Sequence, residues 1–590
     1  MKRLFRIALL LPIITSCSHH KNSISFTSNA NTFYTRYDDS YFLLDNKEYQ
    51  QEIAIASFAS SMATINNDKD YTKRGDYLIK LWKKQGFDNI YLNQDFLTKP
   101  TINSVGYGIA SKKIDDFNLI AVTVRSGAYD AEWANNFLVG TEGHSKGFYD
   151  SSVTVFEGLI NYITNYKIEG YTKFWLSGYS RGASIVNLVA AELLDEINLG
   201  TFSDSILTSI DDVYAYCFEP PAAAAVSDDV AKSDLYKCIH NVLNFNDPIP
   251  LTIPFNWGFV RYGQNRYYPD RITDIYFDKI ERKKLITNYH YTNGGHKYAD
   301  YTVDDWKFYD PGEEDSKENN LPRASVNPSL GRFARNIVNA FTAGAVSVSR
   351  EFYVQSGSEE GIRNIFATIY GYNPKIKEIE MSGSLLLDFI FSYSFIQSMV
   401  TELQQENYDG FANDVEFLLY ELFGANEENI DAIKELYEGI YYLLLFAFQS
   451  IVERTDVMLQ LLSRDNLLTS FSCHATELNY SFLESCDQRL YGNDACHLND
   501  GTYQVLHIDT PTKVSIYEKN LKKTIFSYAN GKMSSDTLSA EKLADGSLDI
   551  YLPNNGEYDC KTDSEFLTLG KIDEHGIETV IKTTKSNISF

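Results

Sequence analysis

The sequence predicts an α/β protein with a mainly parallel sheet, followed by a helical segment and a small all-β module. Between residues 41 and 310, short apolar runs alternate with stretches of helical periodicity, the pattern of a parallel sheet covered by helices. Residues from about 330 to 470 have mainly helical spacing. From about residue 500 onward, short alternating runs are separated by turns such as Asn530-Gly531, which indicates antiparallel strands.

The composition excludes several classes of protein. The 590 residues are 44% hydrophobic and 14% aromatic, which is enough for a large buried core and excludes a disordered chain or a collagen-like fibre. Lys and Arg number 53 against 79 Asp and Glu, so the net charge is −26. Because such a chain repels phosphate backbones, we expect no nucleic-acid partner.

Individual elements and boundaries follow from the same patterns. The clearest buried strands are residues 119–124 and 173–177. The acidic, turn-rich stretch 310–320 predicts a linker or long loop. We therefore divide the chain into a polar linker over 18–40, an α/β core over 41–310, a helical segment over 311–470, a return segment over 471–500 and a β-sandwich-like module over 501–590.

The amino terminus has the features of an export signal. Positive charge at residues 1–3 precedes an apolar stretch from residue 4 to 14, which is too short to span a bilayer. Ile14-Thr15-Ser16-Cys17 resembles the lipobox of bacterial lipoproteins. This resemblance implies a signal peptide over 1–17, lipid attachment at Cys17, and an extracytoplasmic protein anchored to the bacterial cell membrane or cell surface. The alternative is a plain signal peptide with an incidental cysteine.

The cysteines other than Cys17 number six. An exported chain folds in an oxidising compartment, where disulfides form. Because six cysteines allow 15 pairings, we predict only that one bridge lies within the cluster of Cys473, Cys486 and Cys496.

The pentapeptide Gly178-Tyr179-Ser180-Arg181-Gly182 carries the clearest chemical signal. It follows the strand at 173–177 and opens a helix expected over 183–194. A serine on a sharp strand-to-helix turn has strained backbone angles, so its neighbours must be small, and the helix amino terminus places an N–H beside a developing oxyanion. The pattern predicts that Ser180 is a nucleophile.

Asp247 is the candidate acid. It comes just after the apolar run 241–245, so its carboxylate is expected at the carboxyl end of a strand, where such partners gather. The alternative reading of Asn246-Asp247-Pro248 is an Asx-Pro turn that only closes the strand.

Several motifs resemble those of the class 3 lipases, and more closely the secreted lipase-like proteins of low-GC bacteria. Residues 122–129, 132–137 and 144–148 look like that family's Arg-Gly segment, its Trp-containing follow-on and its His-x-x-Gly-Phe motif. After the pentapeptide, residues 213–220 resemble the next core strand, and 246–250 resemble the Asn-Asp-Pro-Val-Pro motif. The match spans about residues 40 to 265.

The resemblance implies an α/β-hydrolase core in which Asp247 is the triad acid and the backbone N–H groups of Gly127 and Arg181 bind the oxyanion. Ser126 departs from the family, which usually has glycine there. The carboxy-terminal module resembles the small β modules appended to these bacterial lipases. We expect His144 to be a structural residue that hydrogen-bonds the backbone.

The catalytic base is open between several histidines. The chain order Ser, Asp, His leaves six histidines after Asp247: His290, His296, His474, His497, His507 and His575. In compact class 3 lipases the histidine follows the acid directly, which fits His296. In the secreted subgroup a helical cap intervenes, and residues 474–483 look like its His-x-x-Glu motif. We favour His474 over His296 and His290, which makes 311–470 a cap inserted between acid and base.

These features together predict a serine ester hydrolase of the lipase or esterase type, similar to triacylglycerol lipases. An acyl-enzyme would form on Ser180, with Asp247 and His474 as the relay. A large apolar cap favours a lipid or other hydrophobic acyl ester as substrate. We expect no metal or organic cofactor. The alternative is a non-catalytic surface lipoprotein, for binding or adhesion, that keeps the hydrolase fold.

Overall fold

The computed structural model describes most of the chain outside the helical segment. The described ranges are 23–126, 131–277, 349–369, 393–423 and 471–590, without positions 254, 271, 356, 493–494, 536–537, 544, 576 and 586, together with 434, 437, 440–442, 444 and 445. Five features predicted above lie outside the described residues: Cys17, Gly127, His290, His296 and the acidic stretch 310–320.

A mixed, mostly parallel sheet of eight strands forms the centre of the molecule. Its order is β10-β9-β8-β6-β5-β4-β3, with β7 beside β6, and every pair is parallel except β3–β4 and β4–β5. A hairpin, β1–β2, precedes it and buries Phe26 and Phe33 in the core, so the prediction of a polar linker over 18–40 is wrong for this part of the chain. The bounds are β1 Ile24–Ser28, β2 Asn31–Thr35, β3 Asn89–Leu92, β4 Tyr107–Ile114, β5 Phe117–Val124, β6 Gly170–Tyr179, β7 Ile206–Leu207, β8 Val213–Phe218, β9 Ile239–Leu243 and β10 Gln264–Tyr267.

Helices cover both faces of this sheet, which confirms the predicted α/β class. The described helices are α1 Gln51–Ala63, α2 Asp76–Lys84, α3 Gln94–Leu97, α4 Lys146–Tyr166, α5 Arg181–Leu199, α6 Asp228–Ala231, α7 Arg350–Gln355, α8 Ser358–Ile369, α9 Tyr393–Gln404, α10 Tyr408–Phe423, α11 Thr476–Ser485 and α12 Gln488–Tyr491. Apolar residues of α4 and α5 pack on one face. Those of α1, α2 and α11 pack on the other.

The period of two along each strand separates these two cores. In β6, Phe174 and Leu176 pack with α4 and α5, whereas Trp175 and Tyr179 pack with α1, α2 and α11. The indole N–H of Trp175 donates to the Ser57 hydroxyl of α1 at 2.7 Å. Because both faces are covered, the strand is a continuous buried run, as its sequence predicts.

The return segment after residue 471 is part of this core. Leu478, Tyr480 and Leu483 of α11 are buried against α1 and the sheet. The Gln51 side chain, at the start of α1, donates to the carbonyl of Leu483. The packing of α11 therefore holds the residues just before it, including His474, against the sheet.

Part of the predicted helical segment is described, as α7 to α10. Helices α9 and α10 contact each other, while α7 and α8 contact the α/β core near residues 137–140. Among the helices in the described part of the chain, none combines the length and apolar character needed to cross a membrane.

Residues 503–589 form two five-stranded antiparallel sheets with a shared core. Their orders are β15-β16-β11-β18-β19 and β14-β13-β12-β17-β20. Leu506 and Ile550 of the first sheet pack with Ile516 and Phe526 of the second. The bounds are β11 Tyr503–Ile508, β12 Lys513–Glu518, β13 Lys523–Ala529, β14 Lys532–Ser535, β15 Ser539–Lys542, β16 Leu548–Pro553, β17 Tyr558–Thr562, β18 Leu567–Ile572, β19 Glu578–Thr584 and β20 Ile588–Ser589.

The predicted disulfide is wrong for the structure, in which all six described cysteines are free and buried. Cys473 precedes α11 and Cys486 follows it, so a ten-residue helix of about 15 Å separates them. The N–H of Cys496 donates to Ser485 at 2.9 Å, which places its backbone near Cys486, but no bond joins the two thiols. These thiols fill core positions, a usual role for free cysteine.

Candidate active site

Ser180 occupies the turn between β6 and α5. Its backbone has φ 56° and ψ −127°, a conformation that residues with a side chain rarely adopt. The Ser180 N–H donates to the carbonyl of Phe218 in β8 at 2.8 Å, which fixes the turn at the carboxyl ends of the two strands. The serine side chain is thus presented at the edge where parallel strands end, and Ser180 is 6% exposed.

The two glycines of the pentapeptide allow this turn. A Cβ atom on Gly178 would collide with the backbone of Gly182. A Cβ atom on Gly182 would lie 2.5 Å from the carbonyl oxygen of Val124, at the end of β5. Helix α5 can therefore approach the sheet this closely only because both positions lack a side chain.

The structure brings Ser180, His474 and Asp247 into one chain of hydrogen bonds. His474 Nε2 lies 2.8 Å from Ser180 Oγ, and His474 Nδ1 lies 2.5 Å from Asp247 Oδ2. The side chain of Asp247 is fully buried and that of His474 is 11% exposed. The histidine at the site is His474, which the sequence favours. The alternatives His296 and His290 are not among the described residues.

The acid is held so that it selects one tautomer of the histidine. Asp247 Oδ1 accepts the N–H of Ile249 at 2.9 Å, which leaves Oδ2 directed at His474. A carboxylate beside Nδ1 favours the proton there, so Nε2 is left as an acceptor for the serine hydroxyl. The Asx turn that the sequence offered as an alternative is also present, because the same carboxylate makes it.

Tyr179 contacts His474 through both its ring and its hydroxyl group. Its ring stacks on the imidazole with centroids 4.9 Å apart and planes 26° apart. Its hydroxyl donates to the carbonyl of His474. Tyr179 belongs to the pentapeptide, but the pattern itself does not indicate this role for the residue before the serine.

Two asparagines hold the backbone around His474. The side-chain amides of Asn244 and Asn479 both donate to the carbonyl of Cys473, at 3.2 and 2.9 Å, and Asn479 also donates to Ala475 at 3.1 Å. Asn244 follows β9, whereas Asn479 lies in α11. Asn244 Nδ2 donates to Asn479 Oδ1 at 3.1 Å. These buried amides connect the loop after β9, which carries Asp247, to the residues around His474. The spacing of the two asparagines along the chain does not indicate this connection.

One of the two predicted oxyanion donors is described. Arg181 is the first residue of α5, so its backbone N–H has no acceptor within the helix and lies beside Ser180. Its guanidinium is committed elsewhere, donating to Asn136 and to Ser151 at 2.8 Å each. Burial lowers the pKa of Arg181 to about 10. Only the backbone of this residue is therefore available to an oxyanion.

The segment 131–140, just after the predicted oxyanion loop, is held from two sides. On the core side, Glu132 forms a buried ion pair with Arg125 at 2.7 Å. On the helical side, Glu359 of α8 accepts the N–H groups of Val139 and Gly140 at 2.6 and 3.2 Å. Phe366 of α8 also stacks on Phe137, with centroids 4.5 Å apart.

His144 makes the backbone contact predicted for it. Its Nδ1 accepts the N–H of Ala225 at 2.9 Å. Burial lowers the pKa of His144, which is consistent with a neutral ring in this role.

One group of side chains has the residue types of a metal site. Ligand atoms of Asp228, Glu574 and His575 lie within 4.8 Å of one another. However, the Lys232 ammonium group lies 2.6 Å from Asp228 and also contacts Glu574, so it already offsets part of their negative charge. The group therefore fits an ion-pair network between α6 and the carboxy-terminal sheets.

The sheet and the turn together define a class of protein. A mixed, mostly parallel sheet with helices on both faces, and a serine on the turn from a central strand to a helix, fit an α/β hydrolase.

Similar solved structures include a fungal lipase–inhibitor complex (17% identity, 39% of this chain and 83% of that chain, TM-score 0.28), a triacylglyceride lipase of Rhizomucor miehei (16%, 38% and 82%, 0.26) and a lipase of Rhizopus microsporus var. chinensis (11%, 40% and 76%, 0.26). No family model matches the chain, and no curated protein matches it. The interpretation of the site therefore depends on its geometry.

Proposed function

We propose that the protein is a serine ester hydrolase of the lipase or esterase type. The observation that carries the proposal is the continuous set of hydrogen bonds from Ser180 Oγ through the imidazole of His474 to the buried carboxylate of Asp247. A nucleophile, a base in reach of it and a group that orients the base are the three parts of an activated serine.

The geometry supports a two-step reaction. His474 Nε2 takes the proton of Ser180 as Oγ attacks the carbonyl carbon of the ester. The oxyanion that forms is bound by the N–H of Arg181 and, by the motif resemblance, by that of Gly127. The imidazolium, stabilised by Asp247, then gives its proton to the leaving alcohol oxygen. Water, deprotonated by the same histidine, attacks the acyl-enzyme; the bond from the acyl carbon to Ser180 Oγ breaks, the imidazolium returns the proton to Oγ, and the acid is released.

The substrate we propose is a lipid ester or another hydrophobic acyl ester. The support is the apolar side of α8, where Phe366 stacks on both Trp133 and Phe137 in the segment after the predicted oxyanion loop. Together with the helical spacing of the sequence between acid and base, this contact favours an apolar cap beside the serine.

We also propose that the protein is lipid-anchored outside the cytoplasm through Cys17. The support is the lipobox-like sequence at residues 14–17 behind a short apolar stretch. Attachment to a membrane would hold the enzyme next to lipid substrates.

A fluorophosphonate probe tests the hydrolase proposal directly. Mature protein is labelled, and the modified peptide is identified by mass spectrometry. We expect modification at Ser180, its absence in Ser180→Ala, and its persistence in the matched surface variant Ser205→Ala. Unlabelled protein is then assayed against acyl esters of graded chain length, with probe-labelled protein as the inactive control.

The contrary outcome is equally clear. If folded protein is not labelled, even in detergent that would loosen a cap, the hydrolase proposal is overturned and the alternative of a surface lipoprotein that binds without turnover is favoured.

A further inference from the structure

A second buried carboxyl group lies beside the proposed triad acid. Glu219 directly follows β8, its backbone has φ 54°, and it is 0% exposed. Its N–H donates to the carbonyl of Val242 in β9 at 2.8 Å. The side chain is thus fixed between the ends of β8 and β9, on the same strand edge as Ser180 and Asp247.

The two oxygens of Glu219 have different surroundings. Oε2 accepts the N–H of Asn244 at 2.9 Å. Oε1 is fully buried and has no donor among the described residues. Besides burial, the charge of the Asp247 carboxyl group also acts on Glu219 and is one cause of its raised pKa. Two carboxyl groups that share a buried site do not both ionise readily, so one of them carries a proton.

The surroundings decide which group carries the proton. Asp247 already accepts from His474 Nδ1 at one oxygen and from the N–H of Ile249 at the other, so a donor faces each of its oxygens. Glu219 accepts one backbone N–H and is otherwise buried. Burial, and after it the charge of Asp247, hold the pKa of Glu219 well above its usual range.

Three further titratable groups of the described chain face Glu219: Arg261, Tyr268 and Cys473. The Arg261 guanidinium is the only cation among them, and it donates to the carbonyls of Pro220 and Pro250 at 2.5 Å each. It lowers the pKa of Glu219 by less than burial and Asp247 raise it.

We propose that Glu219 is a positioning residue that stays protonated and donates its O–H to the Asp247 carboxylate. The bond fixes Asp247 toward His474 without placing a second negative charge beside it. The kinetic part of this inference rests on the proposed hydrolase function, whereas the protonation of Glu219 does not.

Infrared difference spectroscopy tests the protonation independently of activity. Wild-type protein is compared at pH 7 with Glu219→Gln and with Glu157→Gln, a matched change at an exposed glutamate of α4. We expect Glu219→Gln to remove one protonated-carboxyl C=O band that shifts in D2O, and Glu157→Gln to leave it. An unchanged band in Glu219→Gln overturns the proposal, whether or not the protein hydrolyses esters.

Kinetics test the positioning role. A glutamine at 219 keeps a neutral donor toward Asp247 and an acceptor toward Asn244, so we expect kcat within about threefold of wild type. A leucine of similar size has neither, and we expect kcat to fall about 10- to 100-fold with KM nearly unchanged, for the loss of one buried hydrogen bond to a charged group. Equal losses in the two variants overturn the positioning role. If the leucine variant does not fold, the glutamine variant decides, because a tenfold loss there has the same meaning.

The pH profile separates this role from a merely structural one. Deprotonation of Glu219 at alkaline pH puts a second negative charge beside Asp247, so wild-type kcat should fall there. Glu219→Gln cannot ionise and should keep its activity to higher pH. A glutamine variant that loses activity at lower pH than wild type contradicts the inference.

Discussion

The ring of Tyr179 stacks on the imidazole of His474, with centroids 4.9 Å apart, and its hydroxyl donates to the carbonyl of the same histidine. The residue before the nucleophile therefore supports the base. Since Tyr179 ends β6, the strand that positions Ser180 also fixes the orientation of His474 relative to it.

This relationship predicts the effect of two substitutions at position 179. Tyr179→Phe keeps the ring and removes one hydrogen bond, so we expect kcat to fall about 3- to 10-fold, equivalent to about 1 kcal/mol. Tyr179→Ala also removes the stacking on His474, so we expect a larger fall in kcat than for Tyr179→Phe. Steady-state kinetics with a soluble ester measures both, and equal activity of the alanine variant would contradict the supporting role.

The assignment of the base predicts a clear ranking of histidine variants. His474→Ala should lower kcat by about 10⁴-fold or more, because it removes the general base. His296→Ala, the matched control, should keep kcat near wild type. Circular dichroism must show that both variants fold. The reverse ranking would remove His474 from the mechanism and, with it, the insertion of a cap between acid and base.

The contact between α8 and the core predicts a role in substrate choice. Phe366→Ala removes the stacking on Phe137 and Trp133, so residues 131–140 should be less well held. We expect faster hydrogen exchange in that segment, and a larger loss of kcat/KM for long acyl chains than for short ones. An exposed aromatic change on the same helical segment, Phe417→Ala, serves as the control. Equal losses for all chain lengths would argue against a cap over an apolar pocket.

A histidine in the carboxy-terminal sheets predicts a pH-dependent stability. His507 in β11 hydrogen-bonds Asp549 at 2.6 Å and Glu578 at 2.8 Å, and chiefly the bond to Asp549 raises the pKa of His507 to about 9. A raised pKa means that the folded state binds the proton more tightly. The stabilisation is therefore complete below about pH 6.5 and is lost as the pH rises through about 9.

The test is hydrogen exchange of β11 at two pH values. His507→Gln should accelerate local exchange relative to wild type at pH 6 and make little difference at pH 10, after correction for the intrinsic rates. A variant that is equally destabilised at both values would show that packing, and not the charge, is what His507 contributes.

Much of the α/β core could be predicted because its signals are local. Buried strands on both faces are continuous apolar runs, and the runs at 119–124 and 173–177 lie within β5 and β6. The observed elements are longer than the predicted ranges, because contacts with neighbouring elements also stabilise the residues at their ends. Helix α5, expected over 183–194, extends over Arg181–Leu199.

Other features could not be predicted because they depend on contacts between distant parts of the chain. The bond from Asp247 to His474 joins residues 227 positions apart. Glu219 and Asn479 lie within stretches that resemble the lipase-like family, but no role was predicted for either, and their roles follow only from what they contact. The disulfide prediction failed for the same reason: cysteine counts do not reveal which thiols meet.

The sequence by itself determined the strained turn at Ser180, because two glycines around a serine, between a strand and a helix, form a local pattern that is typical of this turn. It also determined that an acid would follow β9, because parallel strands end at one edge. Only the tertiary structure decided which histidine meets Ser180 and which carboxyl group lies beside Asp247. The physical reason is that backbone strain and periodicity act over a few residues, whereas a proton relay depends on packing between α1, α11 and the sheet.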